Sequence, residues 1–175
     1  PNYAERLLAS LPHSSCLLEV GVGTGGLLED LHTKCGRVIG VDHAPAMLAA
    51  ARQRVEESGL DNIELRLGEM EHLPLESASV DTGVLNMVLH HAPDPLTVLR
   101  EIFRVLQPGG VLLIADLLRH QDEWMRDKLA DQWLGFTEDE LLGWGEQAGF
   151  ENLFSETLDG AKSEYSVMLT GLRKS

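Results

Sequence analysis

The sequence has few cysteines, few basic residues and no long apolar run. Two cysteines, Cys16 and Cys35, are too few for a disulfide framework, so we expect a reducing, cytoplasmic location. The chain has 14 lysines and arginines against 28 aspartates and glutamates, a net charge of −14. This balance argues against direct binding of nucleic acid or of an anionic membrane surface. The apolar runs fall far short of the roughly 20 residues that a membrane-spanning helix needs.

The length and composition favour one globular domain. The chain has 175 residues, of which 43% are apolar, so residues 1–175 can bury a core without disulfides or a structural metal. No signal-peptide pattern opens the sequence. The chain begins with proline rather than methionine, which is consistent with its being the C-terminal part of a longer protein.

Short strand-like runs alternate with longer helical stretches along the chain. The predicted strands cover residues 16–20, 37–42, 63–67, 80–87 and 111–115, and the predicted helices cover 26–33, 45–58 and 95–106. This alternation predicts an α/β fold with a parallel sheet and helices on both faces. Two further strand-like runs, 151–158 and 164–172, predict a closing antiparallel hairpin.

Two predicted helices have clear end signals. Asp94 precedes Pro95 and is the expected N-cap of the helix that begins there. Thr137 and Glu140 have the spacing of a capping box, and Gly149 is placed to end the same helix.

A glycine-rich loop follows the first predicted strand and opens the first predicted helix. Gly21, Gly23 and Gly26 fit the dinucleotide-binding pattern G-x-G-x-x-G, whereas Gly21, Gly23 and Gly25 fit the tighter pattern G-x-G-x-G. Glycines here let backbone N–H groups approach a ligand, and the helix N-terminus adds positive dipole character. Either match alone is weak evidence, because a glycine turn can simply connect a strand to a helix.

Asp42 ends the second predicted strand, 21 residues after Gly21. A carboxylate at that place can accept hydrogen bonds from both hydroxyls of a ribose, although a solvated strand end is the simpler alternative. The glycine loop and Asp42 together predict a cofactor that contains a nucleoside. A nicotinamide dinucleotide and another adenosine derivative both remain open on these residues alone.

Four motifs in order resemble the class I S-adenosylmethionine (SAM)-dependent methyltransferases, and the resemblance covers about residues 10–172. The motifs are EVGVGTG at 19–25, VDHAPAML at 41–48, GEMEHLP at 68–74 and RVLQPGG at 104–110. The resemblance implies an α/β fold with a doubly wound, mostly parallel, seven-stranded Rossmann-like sheet and an antiparallel last strand. It favours SAM over a nicotinamide dinucleotide, because a short C-terminal segment ending in a hairpin suits the methyltransferase sheet better than an oxidoreductase.

The resemblance also implies which residues contact the cofactor. Asp42 would bind the ribose, and Asn86 would lie beside the methionine part. The adenine would lie near Met47, Glu69 and Met70. The full implied set is Glu19, Gly21, Gly23, Gly25, Asp42, Met47, Glu69, Met70 and Asn86.

Two positions depart from the family pattern. Ala44 stands where the family commonly has a serine that caps the next helix, and Glu69 stands where it often has the shorter aspartate. Loss of the cap leaves ribose binding by Asp42 in place, and Glu69 is one methylene longer than the aspartate of the family pattern.

Three residues are candidates for a catalytic role. Methyl transfer needs donor and acceptor held in line, and it needs a base only where the acceptor loses a proton. His90 and His91 follow the fourth predicted strand and Asp116 ends the fifth. The alternatives are capping or a cofactor contact for the histidines, and a solvated or capping role for Asp116. The remaining histidines are scattered without zinc-like spacing, so we expect no metal.

Residues 123–136 resemble a stretch in proteins that fuse an ArsR-type winged-helix repressor domain, placed upstream, to a methyltransferase domain. The alternative is that Trp124, Trp133 and Trp144 are core or lid aromatics of an ordinary methyltransferase. Cys16 and Cys35 do not supply the several cysteines on which arsenic methylation in this superfamily relies. We therefore expect SAM-dependent methyl transfer to a small-molecule acceptor. The alternative is a fused regulator's module that senses SAM or its demethylated product, S-adenosylhomocysteine.

Overall fold

A seven-stranded sheet forms the centre of the molecule. The computed structural model describes residues 2–122, 124, 131–159 and 165–175. The strands are β1 (Ser14–Val20), β2 (Cys35–Asp42), β3 (Ile63–Leu67), β4 (Val80–Asn86), β5 (Leu106–Leu117), β6 (Phe150–Leu158) and β7 (Val167–Lys174). Their order in the sheet is β3-β2-β1-β4-β5-β7-β6. Strands β1 to β5 pair in parallel, and β7 lies antiparallel between β5 and β6. The predicted fold class is confirmed.

Helices flank this sheet in the described part of the chain. They are α1 (Tyr3–Ala9), α2 (Leu28–Leu31), α3 (Pro45–Glu57), α4 (Pro95–Val105) and α5 (Glu138–Ala148), with a short 3-10 helix at Leu89–His91. None of them is long and apolar enough to cross a membrane.

Alternate residues of the central strands point to opposite faces of the sheet, as strand geometry requires. In β1, Leu17 packs into a core with Leu28 of α2, whereas Leu18 packs into a second core with Leu99 of α4. The parallel strands are covered on both faces, which explains why their sequences read as nearly continuous apolar runs.

The end signals of α5 are confirmed. The Thr137 side chain accepts a hydrogen bond from Glu140 N–H at 3.2 Å, and Glu140 Oε1 accepts from Thr137 N–H at 2.9 Å. Gly149 ends the helix in the left-handed conformation with a φ of 104°. The α4 cap is different, because Asp94 occupies the N-cap position without a side-chain bond to the helix backbone. Its Oδ2 accepts from the Thr97 hydroxyl at 2.7 Å instead.

Some predicted boundaries differ from the structure. The helix predicted over residues 26–33 is confined to Leu28–Leu31, which is α2. Strand β5 begins at Leu106, so residues 108–110 lie within a strand rather than between a helix and a strand. Gly109 keeps a positive φ of 84° within it. The link between β6 and β7, residues 160–164, and residues 123 and 125–130 of the tryptophan-rich segment lie outside the described residues.

Candidate cofactor and active site

The glycine loop lies where the strand order of the sheet reverses. The chain continues from β1 outward to β2 and β3 on one side, and β4 and β5 lie on the other side. In open α/β sheets, ligands bind at the carboxyl ends of the strands beside such a reversal. Gly21, Gly23 and Gly25 of the loop have positive φ angles of 78°, 60° and 86°.

Two of these glycines are needed for space as well as for conformation. A Cβ on Gly21 would lie 2.4 Å from Cγ1 of Val88, so a side chain there would displace the segment that follows β4. A Cβ on Gly25 would lie 3.2 Å from Cβ of Ala51 in α3. Gly25 therefore allows close packing of the loop on α3, and Gly21 allows close packing of the loop on the segment after β4.

Asp42 fastens the end of β2 to the glycine loop. Its side chain is 8% exposed. Oδ2 accepts a hydrogen bond from Gly23 N–H at 2.8 Å, and Oδ1 accepts from Ala44 N–H at 2.9 Å. A carboxylate oxygen can accept more than one hydrogen bond, so both oxygens keep acceptor capacity for the hydroxyls of a sugar. Ala44 is the N-cap of α3 and has no side-chain cap, as its identity predicts.

Glu19 lies near the end of β1 and is buried. Burial, together with the negative charge of Asp42, raises the pKa of Glu19 from 4.5 to about 8. Its Oε1 has no hydrogen-bond partner among the described residues. A buried polar atom without a partner is costly, and this one borders a cavity of about 500 Å³.

That cavity extends from the glycine loop to the end of β4. Its lining includes Glu19, Gly21, Gly23 and Asn86. Tyr3 of α1 lies beside Asn86, and burial is the main reason that the pKa of Tyr3 is raised. Ala4 of α1 lines the cavity, so this helix borders it near the end of β4.

A smaller depression lies on the other side of Gly21. Its lining includes Asp42, His43, Gly68 and Met70. The structure thus brings most of the predicted cofactor residues into two adjoining cavities that share Gly21. Met47 and Glu69 are exposed and belong to neither cavity.

His90 and Asp116 form a buried pair at the carboxyl ends of β4 and β5. His90 Nδ1 lies 2.7 Å from Asp116 Oδ1, and His90 N–H donates to Asp116 Oδ2 at 3.2 Å. Asp116 Oδ1 also accepts from Leu117 N–H at 2.7 Å. Burial is the largest influence on the pKa of His90 and lowers it. The hydrogen bond to Asp116 and the charges of Asp116 and Asp131 together outweigh burial, so the pKa is raised.

His91 is the more accessible histidine, with a side chain that is 39% exposed. Its Nδ1 lies 3.4 Å from Oδ1 of Asp131, and His90 Nε2 lies 3.5 Å from the same oxygen. Asp131 was not among the predicted site residues, because it lies 40 positions after His91 and nothing in its own segment, residues 123–136, links it to the histidines. Only the tertiary fold brings it to the histidines.

A family model described as a methyltransferase domain matches residues 18–114, which is more than half of the chain. The chain belongs to this methyltransferase family. The matched residues run from β1 into β5 and include the glycine loop, Asp42, His90 and His91.

Relatives of known activity and a solved structure agree with this assignment. Arsenite methyltransferase from Halobacterium salinarum is 33% identical over 157 residues, which cover 83% of this chain and 40% of that protein. Demethylmenaquinone methyltransferase from Lactococcus lactis is 41% identical over 97 residues, covering 54% of this chain and 38% of that protein. A SAM-dependent methyltransferase from Aquifex aeolicus has a TM-score of 0.81 at 25% identity, over 98% of this chain and 89% of that chain.

These comparisons identify SAM as the cofactor, rather than a nicotinamide dinucleotide. The residues present fit SAM. Two adjoining cavities meet at Gly21, where Val88 leaves no room for a side chain. One of them is bordered by the buried Glu19, whose Oε1 has no hydrogen-bond partner in the part of the chain that the structure describes. The chain spans about two-fifths of the length of the curated relatives that it matches.

Proposed function

We propose that this chain transfers the methyl group of SAM to a small-molecule acceptor at the carboxyl ends of β1, β4 and β5. The methyl group bound to a sulfonium is already activated, so SAM supplies both the group transferred and a good leaving group. The main task of the protein is to hold the two reactants in line. The observation that carries the proposal is the pair of cavities joined at Gly21, bordered by Asp42 on one side and Glu19 on the other.

On the cofactor side, Asp42 accepts hydrogen bonds from the ribose hydroxyls. Its carboxylate is held in place by Gly23 N–H and Ala44 N–H. Glu19 and Asn86 lie at the methionine part, where the buried Glu19 carboxyl offers an acceptor to an ammonium group. Met70 packs against the adenine from the smaller cavity, and Met47 and Glu69 approach it from the exposed rim.

On the acceptor side, His91 is the candidate that can reach a substrate. His90 and Asp116 are buried and bonded to each other, and this pair fixes the turn that presents His91. The relatives methylate small molecules according to their names, namely arsenite and demethylmenaquinone. We infer a small-molecule acceptor for this chain too.

Both cysteines of the chain are free thiols. This supports a reducing, cytoplasmic location.

A sensing role in a longer regulator is the alternative function. The similarity of residues 123–136 to regulator fusions favours it, and the same pocket would serve it. The two functions differ in turnover: an enzyme transfers labelled methyl from SAM to a fraction of cell extract, whereas a sensor binds SAM or S-adenosylhomocysteine without transfer.

The cofactor site is tested by calorimetric titration with SAM, S-adenosylhomocysteine and NAD. We expect the first two to bind and NAD not to bind. Asp42→Ala should weaken SAM binding by about 1–3 kcal/mol, because it removes hydrogen bonds to a charged group. Asp61→Ala, which changes an exposed aspartate outside both cavities, is the matched control and should bind SAM like the unmodified protein. Unchanged affinity of a folded Asp42→Ala protein would show that Asp42 does not hold the ribose.

A further inference from the structure

Three side chains beside the active site have the arrangement of metal ligands. His90 Nε2 and His91 Nδ1 lie 3.5 Å and 3.4 Å from Oδ1 of Asp131. One ligand atom from each of the three residues lies within 4.8 Å of the others. Two donors bound at about 2.1 Å to one tetrahedral ion lie about 3.4 Å apart. We infer that His90, His91 and Asp131 form a binding site for a divalent transition-metal ion of the zinc type.

Asp116 holds His90 in the form that a metal site requires. A ligand imidazole commonly donates its other N–H to a carboxylate, which fixes the tautomer and the orientation of the ring. His90 Nδ1 lies 2.7 Å from Asp116 Oδ1, and Asp116 is fully buried. With the proton on Nδ1, the lone pair of His90 is on Nε2, the atom that faces Asp131.

Asp131 is buried and firmly placed. Its side chain is 2% exposed, and its Oδ1 accepts no hydrogen bond from any described residue. The two residues that follow, Gln132 and Trp133, both donate their backbone N–H to the His90 carbonyl at 3.0 Å. Trp133 Nε1 also donates to the Ala92 carbonyl at 3.0 Å. These bonds hold the carboxylate against the histidine turn, where a bound cation would compensate for burying the charge.

The donor set indicates the class of ion. Imidazole nitrogens suit zinc, iron, nickel and copper, whereas calcium and magnesium prefer oxygen ligands. Two histidines and one carboxylate leave positions on the ion for water or for an outside donor, as in catalytic sites. The partly exposed His91 gives an ion access from solvent.

The ion would lie at the carboxyl ends of β4 and β5, on the edge of the sheet that also carries the cofactor cavities. An acceptor with an oxygen, nitrogen or sulfur donor could occupy its open position. This use rests on the proposed methyl transfer, whereas binding of the metal does not. The sequence predicts no metal, because His90 and His91 are adjacent and the other histidines are scattered without zinc-like spacing.

The test is a titration of the chelator-treated protein with Co²⁺ alone, in the absence of SAM, followed by visible absorption. We expect the ligand-field bands of a low-symmetry site at one equivalent, and their loss on addition of Zn²⁺. Asp131→Asn and His91→Gln should each weaken Co²⁺ binding by about 100-fold or more, and Asp116→Asn by about 10–100-fold. His13→Gln changes an exposed histidine outside the cluster and is the matched control.

The His91→Gln variant is expected to fold like the unmodified protein, because the side chain of His91 is partly exposed and lies outside the core. Weaker Co²⁺ binding by this variant would therefore reflect the lost ligand. Two results would overturn the inference: no Co²⁺ bands in the unmodified protein, or equal Co²⁺ affinity of the His91→Gln and His13→Gln proteins. Calorimetry with SAM on the same sample separates the two proposals. If the protein binds SAM but not Co²⁺, the proposed metal site alone is ruled out. If it binds Co²⁺ but not SAM, the proposed methyltransferase function alone is ruled out.

Discussion

At the scale of single residues, Glu19 makes the stability of the protein depend on pH. Burial and the nearby charge of Asp42 raise its pKa to about 8, against 4.5 for an ordinary glutamate. Between these two pH values the folded protein keeps a proton that the unfolded chain has lost. The folded state therefore binds more protons in this range, and stability falls as pH rises. The contribution of Glu19 is fully present below about pH 4.5 and is lost as pH rises through about 8.

We expect Glu19→Gln to reduce the pH dependence of stability. The unmodified protein should lose unfolding free energy as the pH rises from about 4.5 to about 8, and the neutral, similarly shaped glutamine should remove much of that loss. Urea unfolding at several pH values measures the difference. Glu151→Gln, at an exposed position of β6, is the control and should keep the slope of the unmodified protein. A slope that stays the same in Glu19→Gln would mean that Glu19 is ionised in the folded state.

The same acid explains how a buried carboxyl can serve a cationic ligand. An ammonium group beside Glu19 would favour the carboxylate form, because opposite charges stabilise ionisation.

Gly21 is a second position that only glycine suits. Its φ is positive, and Val88 occupies the space that a side chain would need.

At the scale of elements, α5 shows how helix ends stabilise the layer over the sheet. Its capping box satisfies backbone groups that the helix cannot satisfy itself. The apolar side of α5 packs on α4 and β6, with Leu141 and Ala148 buried in the larger core. The helix is thus held by its cap at one end and by packing along its length.

We expect Thr137→Ala to lower the unfolding free energy by about 1 kcal/mol, because it removes the side-chain acceptor for Glu140 N–H. Urea unfolding followed by circular dichroism measures this loss. Thr137→Ser keeps the hydroxyl and should stay close to the unmodified protein. Equal destabilisation by serine and alanine would show that the lost methyl group, rather than the cap, is responsible.

Asp94 shows the limit of such element-level patterns. The dipeptide Asp94-Pro95 correctly marks where α4 begins. Helix α4 begins where the sequence predicts. The Asp94 carboxylate, however, bonds to the hydroxyl of Thr97, which competes with the backbone N–H groups of the first turn.

At the scale of the whole molecule, the end of the chain completes the sheet. Strand β7 lies between β5 and β6, so it pairs on both edges. Lys174, at the end of β7, donates from Nζ to the carbonyls of Phe103 and Leu106 at 2.7 Å and 2.8 Å. The same ammonium lies 4.6 Å from the centre of the Phe103 ring. The last strand is thereby tied to the end of α4.

We expect Lys174→Met to lower the unfolding free energy by about 1–3 kcal/mol, because two carbonyls lose a charged donor. Methionine keeps most of the apolar length of the side chain, so packing is largely preserved. Thermal or urea unfolding gives the measurement, and Lys34→Met at an exposed position is the control. A loss no larger than that of Lys34→Met would contradict a role for Lys174 in anchoring β7.

Much of the fold could be predicted from local patterns. The alternation of strands and helices, the glycine loop after β1 and the capping box of α5 all depend on residues close in sequence, and the structure contains each of them. The start of β5 at Leu106 could not be predicted, because glycines and proline at 108–110 disfavour a strand locally. Pairing of Leu106 with Val80 extends the strand backward across them.

The candidate site divides in the same way. The sequence by itself determined the glycine loop and the acid that ends β2, because backbone approach and strand polarity follow from short motifs. Only the tertiary structure decided that Asp131 joins His90 and His91, and that Met47 stays on an exposed rim. The physical reason is that side chains far apart in sequence meet only once the sheet has placed the ends of its strands. The spacing of residues along the chain does not indicate which of these side chains will be neighbours.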